Sequence, residues 1–193
     1  MIIINQIANT TAVVLCGGKS SRMGFDKSLL QIDGEFMLLR TVKQLKKIFP
    51  EIVLVADKKG KFPVVFSQVE ILEDHYFEKG PLGGLVTALE QIETEYLFLL
   101  ACDIPNLNVD LIRKMAESIA ANDIVIYEQN DRLEPLFAFY RRSCLHVFKQ
   151  QLQTNDRRIR KEFDRFLVKV IPLESCVSLK NVNSPKELAL WRQ

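Results

Sequence analysis

The stretch AVVLCGGKSSRMGFDKSLL, residues 12–30, decides how this chain is read. Ala12 to Leu15 has the make-up of a buried strand, and Gly17 and Gly18 then let the backbone turn sharply and bring its N–H groups against a ligand. Side chains at those two positions would block that approach. Arg22 can fork around phosphate oxygens, and Lys27 carries a compact charge on a long stem, so the two can neutralise a polyphosphate from different sides. With Lys19, Arg22 and Lys27 set against Asp26, residues 17–27 stand at a net +2, as a triphosphate cradle requires.

Two standard glycine signatures fail here. Gly18 and Gly24 are separated by five residues and Phe25 follows, so no G-x-x-x-x-G-K-[ST] occurs, and no G-x-G-x-x-G follows this strand. Kinase-like and dehydrogenase chemistries lose their support. The pattern L-x-G-G-x-x-x-R-M-G-x-x-K is instead similar to the signature loop of nucleotidyltransferases that act on activated small molecules. A plain strand-to-helix turn would need the glycines but not Arg22 and Lys27 at this spacing.

The 193 residues, 48% of them hydrophobic, can bury about 70% of their unfolded surface, and the expectation is a single domain spanning residues 1–193. A formal charge of +2 and a pI near 8.3 are too mild for a nucleic-acid protein but suit one that handles anionic metabolites. Cys16, Cys102, Cys144 and Cys176 form no C-x-x-C pair and no secretory signal is visible, which favours reduced thiols in the cytoplasm. The opening MIII is broken by Asn5 and Gln6, and nothing reaches the roughly 18 apolar residues of a membrane span.

Short β-branched or leucine-rich runs alternate with helical patterns, which predicts an α/β fold: a Rossmann-like, mostly parallel sheet with helices on both faces. Strands are expected at Ile52–Val55, Glu70–Leu72, Tyr96–Leu100, Ile124–Tyr127, Leu136–Tyr140 and Leu167–Ile171. Helices are expected near residues 36–47, 82–91, 109–120, 144–153 and 156–165. Ser184, Pro185 and Glu187 fit N-cap, first helical position and capping-box partner of a last helix running through Trp191.

LFLLACDIP ends a continuous apolar run at Asp103, just past the carboxyl end of a central strand, where open α/β sheets bind ligands. A triphosphate arrives with magnesium, which often takes only one or two protein carboxylates, and Asp103 suits that role. From position alone it equally suits the cap of a turn before Pro105; the cradle at residues 15–27 tips the balance to the metal. Asp74, two residues past the third strand in ILEDHYFEKGPLGGL, can accept hydrogen bonds from ribose hydroxyls or a base edge beside the helix N-terminus that follows Gly80. His75 reads as a solvated loop residue and His146 as structural. DRRIRKEFDR, residues 156–165, carries only +2, and Arg158–Glu162 and Arg160–Asp164 lie at i,i+4 spacing. A solvated helix face explains this, and the weaker basic-to-acidic order leaves open a role for the excess charge toward an anionic substrate.

Taken together, these elements resemble the molybdenum cofactor guanylyltransferase family over most of the chain. The likeness rests on Leu15–Lys27, on EDHYFEKGPLGGL from Glu73, CDIP from Cys102, EPLFAFY from Glu134, DRRIRKEF, and NVNSPKELALW from Asn181. The resemblance implies transfer of GMP from GTP to molybdopterin with magnesium as cofactor. In that scheme the backbone of Leu15, Cys16 and Gly17 holds GTP, Lys27 meets its phosphates and Arg22 assists at the pyrophosphate. Asp74 takes the guanosine portion, Asp103 the nucleotide and magnesium, and Asn181 with Asn183 lines the pterin side. Chaperones of molybdoenzymes are implied as partners. Two positions depart from the family pattern. Cys16 stands where alanine is usual, and Val55 where an asparagine often faces the nucleotide, with Asp57 two residues on. Two alternatives stay open: a molybdopterin cytidylyltransferase or other relative on the same fold, and a non-enzymatic nucleotide-binding adaptor for cofactor delivery.

Overall fold

The computed structural model describes residues 6–17, 26–32, 34–104, 107–154 and 156–172. Its frame is a seven-stranded sheet. In chain order the strands are β1 (Thr10–Leu15), β4 (Glu51–Ala56), β5 (Glu70–Glu73), β6 (Tyr96–Ala101), β7 (Ile124–Gln129), β8 (Arg132–Arg141) and β9 (Val168–Pro172). β2 (Gln31–Ile32) and β3 (Glu35–Phe36) form a separate small hairpin, turned by Gly34 at φ +77°, which the sequence reading did not foresee. Across the sheet the order is β5-β4-β1-β6-β8-β7-β9. β1, β4, β5 and β6 run parallel, and β8 is antiparallel to both its neighbours. The expected mostly parallel α/β architecture is therefore present.

Every residue of β1 is buried, and its side chains alternate between two hydrophobic cores. Ala12, Val14 and Cys16 join Leu54, Phe98, Leu100, Phe137 and Phe139 on one face, covered by α1 (Met37–Leu45) and α3 (Val109–Ala116). Val13 and Leu15 join Val53, Val55, Leu97 and Leu99 on the other, covered by α2 (Pro81–Gln91) and α4 (Leu145–Gln151). A sheet buried on both faces needs such continuous apolar runs, which is why these strands could be recognised. Around Phe98 the rings of Phe49, Phe137 and Phe139 lie 5.5, 5.0 and 4.8 Å away, centroid to centroid.

Helix starts follow local chemistry. The Asn108 side chain accepts from Leu111 N–H and caps α3, while Pro81 opens α2 after Gly80 at φ +65°. Two expected helices are shorter or of another kind. α3 stops at Ala116 and a separate 3-10 turn covers Ile119–Ala121. Ile159–Arg165 is 3-10, interrupted at Glu162, so the expected i,i+4 pairing does not form; Arg158 pairs with Asp156 instead, and Arg165 with Glu162. The helix expected after Ser184 lies outside the described residues.

Candidate functional site

Past the carboxyl ends of β1, β5 and β6 the backbone ladder continues for one more bond each. Cys16 N–H donates to the Val55 carbonyl at 2.7 Å, Cys102 N–H to Leu15 at 3.2 Å, and Asp74 N–H to Ala56 at 2.7 Å. These bonds bring Leu15, Cys16, Gly17, Asp57, Asp74, Cys102 and Asp103 to one end of the parallel strands. A Cβ on Gly17 would come no nearer to the described atoms than 4.0 Å, at Asp57 N, so the described residues leave room there. Gly18 and Arg22 lie in the segment 18–25, outside the described residues, as do Asn181 and Asn183.

Lys27 and Asp103, 76 positions apart, meet directly: Nζ stands 3.1 Å from Oδ2, with the side chains 20% and 15% exposed. Asp103 Oδ1 is buried and, among the described residues, accepts no hydrogen bond. Among the described residues the carboxylate thus caps no backbone N–H; it holds an ammonium and offers one bare oxygen, the donor chemistry a hard dication takes. No group of three or more His, Cys, Asp or Glu residues among those described is arranged to hold a metal.

Asp26 sets the position of Lys27. Its Oδ1 accepts from Ser28 N–H at 2.9 Å and from Ser28 Oγ at 2.6 Å, capping the 3-10 turn Lys27–Leu29, while Oδ2 pairs with Lys61 Nζ at 2.8 Å. Burial pushes the Asp26 carboxyl up, but the hydrogen bonds from Lys61 and Ser28 outweigh it and hold it below its ordinary value. The sequence reading missed Lys61, one of three lysines in a polar run with no motif around it.

Asp74 is held mainly by its own loop. Oδ1 accepts from Tyr76 N–H at 2.8 Å and from the Thr87 hydroxyl at 2.9 Å, and burial keeps the carboxyl above its ordinary value despite them. The loop lies so tightly on α2 that a Cβ at Gly83 would fall 2.2 Å from the Tyr76 carbonyl oxygen. Asp57, Lys58, Glu73, Asp74 and His75 line a groove of about 600 Å³ here. His75 is mostly exposed, with Nδ1 3.9 Å from Glu90, and His146 is exposed on α4 beside Gln150. From the basic segment, Arg157 donates to the Glu78 carbonyl at 2.7 Å, which ties residues 156–165 to the loop carrying Asp74.

The two departures from pattern also find places. Cys16 is buried against Cys102; burial first, then the hydrogen bond between the thiols, pushes its pKa well up and keeps it neutral. Cys16, Cys102 and Cys144 are free thiols, and Cys176 lies outside the described residues. Val55 points into the core under α2, 1% exposed, and the polar side chain nearest to it in sequence beyond the strand is Asp57, half exposed beside Gly17.

A glycine loop leaving β1, a lysine held on a carboxylate at the end of β6, and this strand order define a nucleotidyltransferase of the α/β type. Residues 12–169 match the family described as the MobA-like NTP transferase domain. The chain is 32% identical to a probable molybdenum cofactor guanylyltransferase of Natranaerobius thermophilus, covering 96% of each chain, and 31% identical to one of Carboxydothermus hydrogenoformans, covering 93% of each. This chain belongs to the molybdenum cofactor guanylyltransferase family. The fold is shared with molybdopterin-guanine dinucleotide biosynthesis protein A of Archaeoglobus fulgidus, at a TM-score of 0.79 and 21% identity over 93% of this chain and 95% of that one. Among the described residues no helix is long and apolar enough to cross a membrane.

Proposed function

We propose that this chain transfers GMP from GTP to molybdopterin, releasing pyrophosphate, at the strand ends that carry Gly17, Lys27 and Asp103. The observation that carries this is the contact of Lys27 with Asp103, which sets a phosphate-binding cation beside a carboxylate with one oxygen unused among the described residues. A terminal phosphate oxygen of molybdopterin attacks the α-phosphorus of GTP; the new P–O bond forms as the bond to the bridging oxygen breaks, and pyrophosphate departs. The nucleophile is already anionic near neutral pH, so catalysis needs positioning and charge neutralisation more than a general base. Lys27 neutralises phosphate charge, and the backbone from Leu15 to Gly17 seats the nucleotide. Arg22 assists at the leaving pyrophosphate. Asp74, through the oxygen its loop does not use, accepts from the guanosine portion. Asn181 and Asn183 serve the pterin. Asp103 would hold magnesium, which supplies further neutralisation of phosphate charge. The reaction belongs in the cytoplasm, with chaperones of molybdoenzymes receiving the product.

The test supplies the protein with magnesium, molybdopterin shown intact by a second enzyme, and either GTP or CTP, and follows nucleotide incorporation and pyrophosphate. GTP is expected to win by about 10², less than the roughly 10⁴ of a site that pairs every polar edge of its base, because Val55 offers no hydrogen bond. Preference for CTP would make the protein a cytidylyltransferase. Tight GTP binding with pyrophosphate from neither nucleotide would make it an adaptor.

A further inference from the structure

Lys61 has an environment that its sequence does not announce. Its ammonium touches three groups from three segments: the Cys16 carbonyl at 2.6 Å, Asp26 Oδ2 at 2.8 Å and Asp57 Oδ1 at 2.9 Å. The side chain is only 15% exposed. Burial alone would pull its pKa down, yet hydrogen bonds with Asp26 and Asp57 more than offset this and raise it, so the group is firmly charged. The turn that carries it, Lys59–Lys61, is fastened to the core by a run of ring contacts, Phe62 to Phe66 at 5.3 Å and Phe66 to Phe36 at 5.4 Å, and Phe66 is fully buried.

Two of these three contacts lie at the two ends of the glycine loop. Cys16 is the residue where β1 gives way to it, and Asp26 immediately precedes Lys27. We infer that Lys61 is a positioning residue for the nucleotide: one buried ammonium draws the two ends of the loop together and thereby fixes where Lys27 stands. The inference rests on that loop being the triphosphate site. Asp26 divides its oxygens to serve this, one turning the chain into Lys27–Leu29 and the other bound to Lys61. Charge points the same way. Without Lys61, Asp26 and Asp57 would bring two uncompensated carboxylates to the mouth of a site built for a polyanion; with it the trio carries a single negative charge.

The test compares wild type with Lys61→Met, Lys61→Arg and Lys61→Gln in the full chain. Tryptic cleavage after Lys19 and Arg22 is followed without nucleotide by mass spectrometry, and KM for GTP, KM for molybdopterin and kcat are measured separately. Lys61→Met is expected to speed loop cleavage and raise KM for GTP by about tenfold each, with KM for molybdopterin unchanged. Lys61→Arg, which can hold both carboxylates, should restore most of both. If Lys61→Met does not fold, Lys61→Gln, which keeps a donor for the Cys16 carbonyl, should show about threefold changes in the same two quantities. Cleavage or KM for GTP within the error of wild type in the folded variants overturns the inference, as does an equal rise in both KM values, the mark of a general loss of structure. If the wild type itself neither binds nor consumes GTP, the functional proposal fails while loop cleavage still decides whether Lys61 holds the loop.

Discussion

Replacing Asp103 with asparagine separates the chemistry of the site from its packing. Asparagine has nearly the same size as aspartate and keeps an oxygen for Lys27 Nζ, now 3.1 Å from Oδ2. The fold should therefore lose about 1 kcal/mol or less, which for a chain of this length is a melting shift within about 4 °C. Turnover should fall far more, by about a hundredfold or more, or roughly 3 kcal/mol of transition-state stabilisation, because a neutral amide holds a hard dication poorly. Lys27→Met should show the opposite balance in stability. It leaves Oδ2 as well as the already bare Oδ1 of a largely buried carboxylate without its ammonium, costing about 1–3 kcal/mol and about 2–12 °C. Since the two side chains touch, the rate losses of the double variant should be less than additive. Pyrophosphate release at saturating and limiting magnesium, with calorimetric melting of the three variants, measures all of this. Near wild-type turnover of Asp103→Asn at limiting magnesium, or a melting point below that of Lys27→Met, would refute the assignment of this carboxylate to the metal.

Lys27→Met should also slow pyrophosphate release much more than Lys19→Met, because Lys27 stands on Asp103 and matches the phosphate lysine of the signature loop; equal losses would mean that the loop acts as a diffuse positive field. Asp26→Asn should destabilise the protein at pH 7 and less so in acid: the folded carboxyl lies below its ordinary 3.8, so its contribution is present above that value and lost as the pH falls through the lower folded value. Melting curves of both proteins between pH 7 and pH 3 check this, and a difference that does not narrow in acid contradicts it.

The parallel half of the sheet was legible because strands buried on both faces must be apolar throughout, as in YLFLLA of β6. Asp103 and Lys27 could be picked out as well, one ending such a run and the other closing a glycine loop. What sequence could not give was their contact, which depends on β1 lying next to β6 in the sheet. Lys61 was invisible for the same reason: nothing in DKKGKF distinguishes it from Lys58 and Lys59, and only the fold brings Cys16, Asp26 and Asp57 around it. The segment 156–165 misled in a different way. Its charge spacing assumed an α-helical repeat, and the 3-10 turn with its break at Glu162 places different residues side by side. At Val55, where the resemblance led one to expect a polar contact, the side chain falls on the inner face of the strand and serves the core.

The alternation along β1 has a consequence for which changes the chain can absorb. Val13 and Val14 serve opposite cores, so either tolerates another aliphatic residue of similar volume. The number of residues between Thr10 and Gly17 has no such latitude. One inserted residue would carry Gly17 forward by about 3.3 Å and send every side chain beyond it to the wrong face. The strand works as a gauge, free in its composition and fixed in its count, and it measures out where the nucleotide loop begins.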